Sequence, residues 1–329
     1  MYILSICIPT FNRYEFLKRT IDYLNKNLGL EHNIEIVISD NASSDKTENY
    51  CLELANKFDF IKYSRNLENV GLDLNALNAI KIANSDYCWL LSDDDIPLDG
   101  TIERIIKAIK ENNPNLIYLN YVGVVESNLS NIDIEGNKKD DEIYINNSEK
   151  MLVKHLISHF SAIIINKNIF LKYEALLLEY QNMGFERGYI LCLVDNMILC
   201  ESGISIFLGE VSLLTRNPQS LIGNNYNPLT IIIDVASHYN FLYRRSLISK
   251  QTKSIVVNRY LRGFYNIIIP MRLNYNEYYK NELVIKIHKT CYSYRFYYIY
   301  NLPFMLMPNI LLKYTYQLYK LFFKSNRNT

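Results

Sequence analysis

Apolar runs and amphipathic stretches alternate along the first 120 residues of the chain. Short runs rich in β-branched residues, such as 34–40, end in polar, turn-forming sequence, as strands do. The stretches between them, such as 14–29, carry apolar residues at the three- and four-residue spacing of a helix face. The predicted strands are 3–9, 34–40, 60–64, 87–91 and 115–121, and the predicted helices are 14–29, 48–58, 72–83 and 101–113. This alternation predicts a Rossmann-like α/β fold with a mostly parallel sheet flanked by helices.

The second half of the chain is less regular. A polar segment at 126–142 predicts a surface excursion, whereas 160–166 reads as a buried strand and 204–216 as one or two more. Amphipathic helical stretches dominate the C-terminal third. We therefore expect an α/β domain over residues 1–225 and a helical C-terminal region over 226–329.

Four polar segments leave the carboxyl ends of the predicted strands. They are PTFNR (9–13), DNASSDKT (40–47), RNLENVG (65–71) and SDDD (92–95). Parallel sheets of this kind bind ligands in the crevice at these strand ends. The predicted topology therefore brings four loops to one candidate site.

The SDDD segment sets three carboxylates side by side. Asp93, Asp94 and Asp95 repel one another by about 1 kcal/mol per neighbouring pair in water, and by more where they are partly buried. Mg²⁺ or Mn²⁺ relieves such repulsion, because these hard cations take one or two carboxylates together with phosphate oxygens of a substrate. The alternative is a solvated turn in which an aspartate caps the helix that follows.

The first two segments offer groups for a nucleotide. Phe11, Asn12 and Arg13 supply a ring, an amide and a guanidinium, which suit a base and a phosphate near a helix N-terminus. A plain strand-to-helix turn accounts for PTFNR equally well. Asp40 is placed to accept hydrogen bonds from a pyrimidine edge or a ribose, and Asp45 is expected to cap the next helix.

The RNLENVG segment offers a glycine and amides. Gly71 permits a turn with positive φ or a close approach to a ligand, and Asn69 and Asn75 add side-chain amides. The alternative is a simple connection that happens to contain glycine.

Composition narrows the function classes. A formal net charge of +1 gives no overall case for nucleic-acid binding. Six cysteines without a CxxC pair favour a reducing compartment, and the absence of a basic leader and of a long apolar run predicts a cytoplasmic protein without an ordinary spanning helix. His155 and His159 share the i, i+4 spacing of a helical zinc pair, but without a third ligand we expect no zinc.

Taken together, the four segments resemble the nucleotide-sugar-binding half of family 2 glycosyltransferases with the GT-A fold. PTFNR, DNASSDKT, NVG and SDDD occur in that family's order and spacing over about residues 3–121. Within the family the chain is most similar to abequosyltransferase-like enzymes of O-antigen assembly. One position departs from the pattern: Ser92 stands where the family has an acid, which leaves Asp94 as the matching metal ligand.

The resemblance implies an inverting transfer of a sugar from a nucleotide-sugar donor to a growing, lipid-linked glycan, with Mn²⁺ or Mg²⁺ held by Asp94 and Asp95. It also implies a set of donor-binding residues at the four strand ends: Pro9, Thr10, Phe11, Asn12, Arg13, Asp40, Asn41, Ser43, Asn69, Gly71, Asn75 and Asp93. Arg216 follows the last apolar strand and is expected to contact the diphosphate; a surface salt bridge is the equal alternative. Two alternatives stay open: a nucleotide-sugar-binding subunit without catalysis, and an enzyme like the sugar nucleotidyltransferases. An enzyme of the nucleotidyltransferase type is expected to have a glycine-rich, basic loop after the first strand, and PTFNR is not such a loop.

The general base is expected in the second half of the chain. Inverting transfer needs a carboxylate or histidine near the acceptor hydroxyl. Asp195 lies in an otherwise apolar predicted helix, which is a costly place for a charge, and Glu186 just before that helix is its rival.

The last forty residues mix tyrosine and phenylalanine with lysine and arginine. Such a composition suits helices that dock at the cytoplasmic face of the inner membrane. Ordinary packing of helices in a core is the alternative.

Overall fold

The computed structural model of the chain describes residues 2–27, 33–124, 133–155, 159–175, 178, 202–216, 228–274 and 281–323. The chain divides into two compact units, residues 1–218 and 219–329. The first contains every described strand, and the second is helical.

The first unit alternates strands and helices over its first 124 residues. Its strands are β1 (Leu4–Thr10), β2 (Ile34–Asp40), β3 (Ile61–Arg65), β4 (Tyr87–Leu90), β5 (Ile96–Pro97), β6 (Leu116–Val124), β7 (Glu142–Ile145), β8 (Ile163–Asn166) and β9 (Ile204–Arg216). Its helices are α1 (Tyr14–Asn27), α2 (Thr47–Lys57), α3 (Leu72–Ile82), α4 (Thr101–Asn112), α5 (Ser148–His155) and α6 (Lys167–Leu171). The strands and helices predicted over residues 3–121 are thus all present, with ends that differ by at most three residues.

One sheet contains all of these strands. Its order is β3-β2-β1-β4-β8-β6-β9-β5, and β7 pairs with the N-terminal part of β9, outside this order. The strands β3, β2, β1 and β4 are parallel, and β6 is parallel to β9. The strand β8 runs antiparallel to both β4 and β6. Its N-terminal end therefore lies at the edge of the sheet where its two neighbours end.

The centre of the sheet forms the core of this unit. The strands β1 and β2 are buried along their whole length, and α3 packs on both. In α1, Leu17, Ile21 and Leu24 are fully buried, as their helical spacing predicts. Strands that carry near-continuous apolar runs between covering helices are typical of α/β folds, so the predicted fold class is confirmed.

Segment 204–216 is a single long strand, within the one or two strands predicted there. The second half of the sheet differs from the sequence prediction in three details. The predicted strand over 160–166 begins only at Ile163, after a short 3-10 turn. The two-residue strand β5 was not predicted, because it is too short to carry a periodic pattern. The polar segment 126–142 was expected to be an excursion, and its last residue begins β7.

The second unit consists of helices α7 (Ile231–Arg244), α8 (Lys250–Gly263), α9 (Tyr265–Asn274), α10 (Asn281–Cys291), α11 (Leu302–Leu306) and α12 (Asn309–Phe323). Its core includes Tyr239, Val256 and Leu312, which are all nearly or fully buried. A search of the described helices finds none with the length and apolar character needed to cross a membrane.

Candidate functional site

The carboxyl ends of three neighbouring strands set polar side chains in one row. Thr10 of β1 is paired with Asp40 of β2, and Asp40 is paired with Arg65 of β3. The segment after β4 joins this edge, since Leu91 donates its backbone N–H to the carbonyl of Cys7 in β1 at 2.9 Å. The loops predicted to share one site therefore do so.

The loops after β1 and β2 hold each other through reciprocal hydrogen bonds. The backbone N–H of Asn12 donates to Ser43 Oγ at 2.8 Å, and the N–H of Ser44 donates to Asn12 Oδ1 at 2.7 Å. Asn12 and Ala42 have φ of 53° and 63°, in the left-handed region that is uncommon for residues other than glycine. Left-handed backbone at such residues is retained only where the surrounding structure holds it in place, and it is frequent at functional sites.

Asp45 ties the same two loops to their helices. Its carboxylate accepts from the N–H of Thr47, the first residue of α2, at 3.0 Å, and from the N–H of Tyr14, the first residue of α1, at 3.1 Å. The predicted interaction of Asp45 with the helix that follows is therefore present, and it extends to a second helix.

A network of side-chain amides lies beneath the third loop. Asn41 Oδ1 accepts from the N–H of Val70 at 2.9 Å, and its Nδ2 donates to Asn69 Oδ1 at 2.7 Å. Asn75 Nδ2 donates to the carbonyl of Ser39 at 2.8 Å. Gly71, with φ of 87°, precedes the first residue of α3, and its conformation explains why glycine occupies this position. Asn41, Asn69 and Asn75 thus act together to fix the loop.

Asp40 is fully buried, and protein groups surround its carboxylate. Oδ1 accepts from the N–H of Ser43 at 2.9 Å, and Oδ2 accepts from the hydroxyl of Tyr63 at 2.9 Å. Arg65 Nε lies 3.6 Å from the same oxygen. The contacts of Asp40 are therefore with other groups of the protein. They anchor the turn after β2 and link β2 to Tyr63 and Arg65 of β3.

Asp93 is the structural member of the three aspartates. Its side chain is 4% exposed; Oδ1 accepts from Arg13 Nε at 2.7 Å and Oδ2 from the hydroxyl of Thr10 at 2.8 Å. Its backbone carbonyl accepts from the hydroxyl of Thr20 in α1 at 2.8 Å. Burial raises the pKa of Asp93, and the hydrogen bonds from Arg13 and Thr10 oppose that rise.

Asp94 shares the same guanidinium. Arg13 Nη2 contacts Asp94 Oδ2, while Asp94 Oδ1 accepts from the hydroxyl of Ser92 at 2.6 Å. Burial by itself lowers the pKa of Arg13, but the charges of Asp93 and Asp94 raise it above its ordinary value. Ser92, which departs from the family pattern, thus supplies a donor to the carboxylate two residues later.

Asp95 turns to a different part of the fold. Its residue is 2% exposed, and its Oδ2 lies 3.0 Å from His159 Nε2. None of the three aspartates caps the helix that follows, because Gly100 occupies the cap of α4 without a side-chain hydrogen bond. The alternative of a solvated capping turn is therefore wrong.

His155 and His159 do not form a helical pair. The helix α5 ends at His155, and His159 has extended backbone. His155 Nε2 lies 3.0 Å from the hydroxyl of Tyr144 and 3.4 Å from Glu142 Oε2, whereas His159 Nε2 lies 3.0 Å from Asp95 Oδ2. The expectation that both histidines share a helix was wrong, because the apolar pattern of the segment continues past the end of α5.

The SDDD loop offers oxygen ligands of the kind that hard divalent cations take. Among the described residues no three His, Cys, Asp or Glu side chains converge as a protein-only metal site. Mg²⁺ and Mn²⁺ need fewer protein ligands where substrate phosphates and water complete their coordination. Asp94 is the most exposed of the acids in contact with Arg13, at 15% against 4% for Asp93, and each of its oxygens retains lone pairs. The carboxylates of the loop are therefore suitable ligands for such a cation, and Asp94 is the more accessible of the two acids that contact Arg13.

The structure brings together most of the predicted donor-binding residues. Pro9, the last residue but one of β1, is buried, and Phe11 is 39% exposed. Arg216 ends β9, opposite Val124 of β6; its side chain is outside the described part of the structure. Asp195 and Glu186 lie outside the described residues altogether.

Several residues of the site escaped the sequence analysis. They are Thr20, Tyr63, Arg65, Asn66, His159 and Ser161. Arg65 and Asn66 begin the RNLENVG segment, so the rule that strand ends meet would have found them. No local signal marks Ser161, which accepts from the N–H of Ser92 at 2.9 Å across 69 positions of sequence.

Replacing Arg13 with methionine is expected to destabilise the protein. The change leaves the buried carboxylate of Asp93 without its charged partner, and we expect the free energy of unfolding to fall by about 1–3 kcal/mol, less than for a fully buried pair because Arg13 is 30% exposed. Urea unfolding of Arg13→Met and of Arg13→Met with Asp93→Asn measures the effect. The second substitution should recover part of the loss.

The matched control is Lys18→Met on the same helix. Lys18 is 46% exposed and pairs only at 3.7 Å with Asp22, so its loss should change stability by less than about 0.5 kcal/mol. Equal effects of Arg13→Met and Lys18→Met would contradict the importance of the Arg13 ion pairs.

Comparison with known proteins identifies the family. Residues 5–170 match the family model described as Glycosyl transferase family 2. The chain is 32% identical over 178 residues to abequosyltransferase RfbV of Salmonella typhimurium, an alignment that covers 50% of this chain and 53% of that protein. It is 32% identical over 142 residues to GalNAc(5)-diNAcBac-PP-undecaprenol beta-1,3-glucosyltransferase of Campylobacter jejuni, which covers 43% and 45% of the two chains. The chain thus spans about half the length of the curated relatives it matches.

Solved structures agree on the fold. The S. aureus TarS 1-349 structure aligns with a TM-score of 0.60 at 15% identity, covering 88% of this chain and 78% of that one. The mannosyltransferase PcManGT from Pyrobaculum calidifontis, solved with GDP-Man and Mn²⁺, aligns with a TM-score of 0.56 at 11% identity, covering 98% and 82%. At these identities the likeness concerns the fold, which is of the GT-A type. The sheet, the four loops and the family match over half of the chain together identify this protein as a member of glycosyl transferase family 2.

Proposed function

We propose that this protein transfers a sugar from a nucleotide-sugar donor to a glycan acceptor, with inversion at the anomeric carbon. The observation that supports this proposal is that Arg13 holds two carboxylates of the SDDD loop, those of Asp93 and Asp94, at the edge where the loops after β1, β2 and β3 meet. That edge is where α/β sheets bind nucleotides. No separate observation favours the alternative function, a subunit that binds a nucleotide sugar without transferring it.

The loops after β1 and β2 are proposed to hold the base and ribose of the donor. Phe11 is exposed and offers a ring for stacking, and the backbone of the DNASS turn is fixed by Asp40 and Asn12. Because these loops are tied to each other before any ligand arrives, little ordering is needed when the donor binds. Arg216 is proposed as a second cationic contact for the diphosphate.

Asp94 and Asp95 are proposed to hold Mn²⁺ or Mg²⁺, which would neutralise the charge that develops on the leaving diphosphate. Arg13 already balances Asp93 and Asp94 in this structure. Its guanidinium is also suited to a phosphate oxygen, and it lies beside the carboxylates that would meet the diphosphate. Arg13 therefore keeps the loop compact before the donor is present.

Asp195 is proposed as the general base that takes the proton from the acceptor hydroxyl, with Glu186 as the alternative. Asp195 is chosen because its sequence predicts an otherwise apolar helix, a costly place for an acid without a use, and Glu186 because it lies just before that predicted helix. Removal of the proton makes the acceptor oxygen a stronger nucleophile for in-line attack on the anomeric carbon.

A lipid-linked glycan in O-antigen or other surface-polysaccharide assembly is the proposed acceptor, at the cytoplasmic face of the inner membrane. The names of the relatives support this class: one is an abequosyltransferase, and another acts on a PP-undecaprenol substrate. Four cysteines in the described residues are free and buried, which suits a reducing compartment.

The C-terminal helix α12 supplies a surface for that location. Ile310, Leu311 and Tyr314 are 55–73% exposed, and their spacing of three and four positions places them on one side of the helix. Lys313 is exposed beside them, and Arg295 is exposed earlier in the same unit. Apolar side chains with neighbouring cations fit the interface of an anionic bilayer, and we propose this as the occupant of the surface.

Asp94→Ala is expected to abolish sugar transfer. A thermal-shift screen of UDP-, GDP-, CDP- and dTDP-sugars with Mn²⁺ first identifies the donor, because a bound donor raises the melting temperature by mass action. Transfer to lipid-linked acceptor is then expected to fall at least about 100-fold in Asp94→Ala, which loses the accessible carboxylate of the loop. The exposed Asp59 provides the control Asp59→Ala. Full transfer by folded Asp94→Ala would refute the metal assignment, and donor binding without turnover by the wild type would favour a non-catalytic subunit.

Asp195→Asn is expected to keep donor binding and lose turnover. The amide retains the shape of the side chain but cannot take the proton, so kcat should fall about 100-fold or more. Glu186→Gln is the matched variant, assayed with the same donor and acceptor. Retained turnover in Asp195→Asn together with its loss in Glu186→Gln would transfer the role of base to Glu186.

Replacing Leu311 and Tyr314 together with serine is expected to weaken binding to anionic vesicles. The two changes remove apolar area that would enter the interface, and the dissociation constant for phosphatidylglycerol vesicles should rise about tenfold or more. Co-sedimentation with phosphatidylglycerol and with phosphatidylcholine vesicles measures this. Leu67→Ser, at a fully exposed leucine of the first unit, is the control. Wild-type protein that ignores both vesicle types would show that this surface has another occupant.

A further inference from the structure

His159 meets the aspartate loop from a distant part of the sequence. Its Nε2 lies 3.0 Å from Asp95 Oδ2, across 64 positions, and the Asp95 residue is 2% exposed. We assign His159 Nε2 as the donor, because an ionised carboxylate can only accept a hydrogen bond.

The fold fixes the segment that carries His159. It directly precedes β8, whose N-terminal end lies at the edge where β4 and β6 end. Ser161, two residues on, accepts from the N–H of Ser92 through its hydroxyl at 2.9 Å and from Trp89 Nε1 through its carbonyl at 2.8 Å. These two hydrogen bonds join the segment to Trp89 in β4 and to Ser92, the first residue of the SDDD loop.

A tyrosine holds the imidazole itself. The ring of Tyr121 in β6 lies 5.0 Å from that of His159, centroid to centroid, with an angle of 34° between the planes. The side chain of His159 remains 26% exposed. The position of the His159 imidazole is therefore set by its packing against Tyr121 as well as by its hydrogen bond with Asp95.

The neighbouring aspartates have different partners. Arg13 contacts Asp93 and Asp94. His159, at 3.0 Å, contributes to setting the direction of the Asp95 carboxylate. A hydrogen bond to a charged carboxylate is worth about twice a neutral one, and outer partners of this kind orient carboxylates that bind cations.

We propose that His159 is a positioning residue of the transfer site: it orients Asp95 so that the loop presents Asp94 and Asp95 together to a divalent cation. The proposal rests on the proposed function, because it assumes that this loop meets a cation. It assigns no proton transfer to the imidazole. No local pattern indicates this role, because Asp95 and His159 lie 64 positions apart in the sequence.

The test compares two substitutions of His159, one that keeps an aromatic ring and one that keeps a hydrogen-bonding N–H. His159→Phe keeps a ring to pack on Tyr121 and loses the N–H, whereas His159→Gln keeps an amide N–H at a similar distance from the backbone and loses the ring. Mn²⁺ alone is the probe, and its dissociation constant is measured by electron paramagnetic resonance. We expect binding about tenfold weaker in His159→Phe and within about twofold of the wild type in His159→Gln.

Kinetics with the identified donor give a second readout. The same pair should show a loss of kcat/KM in His159→Phe that His159→Gln largely restores, with melting temperatures that do not follow this order. A purely structural role would instead make both variants fail in proportion to their loss of stability. Unchanged Mn²⁺ affinity in His159→Phe, with affinity lost in Asp94→Ala, would overturn the role of His159 and leave the proposed function intact. Wild-type protein that binds no Mn²⁺, either alone or together with the identified donor, would overturn both.

Discussion

The contact of Arg13 with two aspartates is the interaction on which the candidate site depends. A buried carboxylate such as Asp93 is expensive unless a charge and hydrogen bonds compensate it. Arg13 supplies the charge, and Thr10 supplies a further hydrogen bond. Since Arg13 precedes α1 by one residue, the same contact joins the first helix to the loop after β4. The loop can then carry a second aspartate toward solvent without unfolding the edge of the sheet.

The rest of the site is held by neutral hydrogen bonds. Asn12 and Ser43 join the first two loops, and the amides of Asn41 and Asn75 fix the third. These bonds act over short distances and in set directions, so they define the backbone of the strand ends more closely than charges would. A ligand at this edge meets loops that are already ordered, which reduces the entropy lost on binding.

Much of this arrangement was predictable from the order of residues. The strands from β1 to β4 and the helices between them follow from periods of apolar residues, and the meeting of their loops follows from the rule that parallel strands end at one edge. The reversed strand β8 and the short strand β5 did not follow, because apolar runs carry no information on direction and two residues carry no period. His159 was linked to the wrong partner for the same reason, since spacing along a chain is informative only while the helix continues.

The sequence alone determined the α/β class, the four loops and membership of a glycosyltransferase family, because local patterns and motif order are written in consecutive residues. Only the tertiary structure decided what each aspartate does. Asp93 turns to Arg13 and Thr10, Asp94 to Arg13 and Ser92, and Asp95 to His159. Three identical neighbours look alike in a sequence, whereas burial and hydrogen-bond partners, which come from residues up to 83 positions away, give each a different environment.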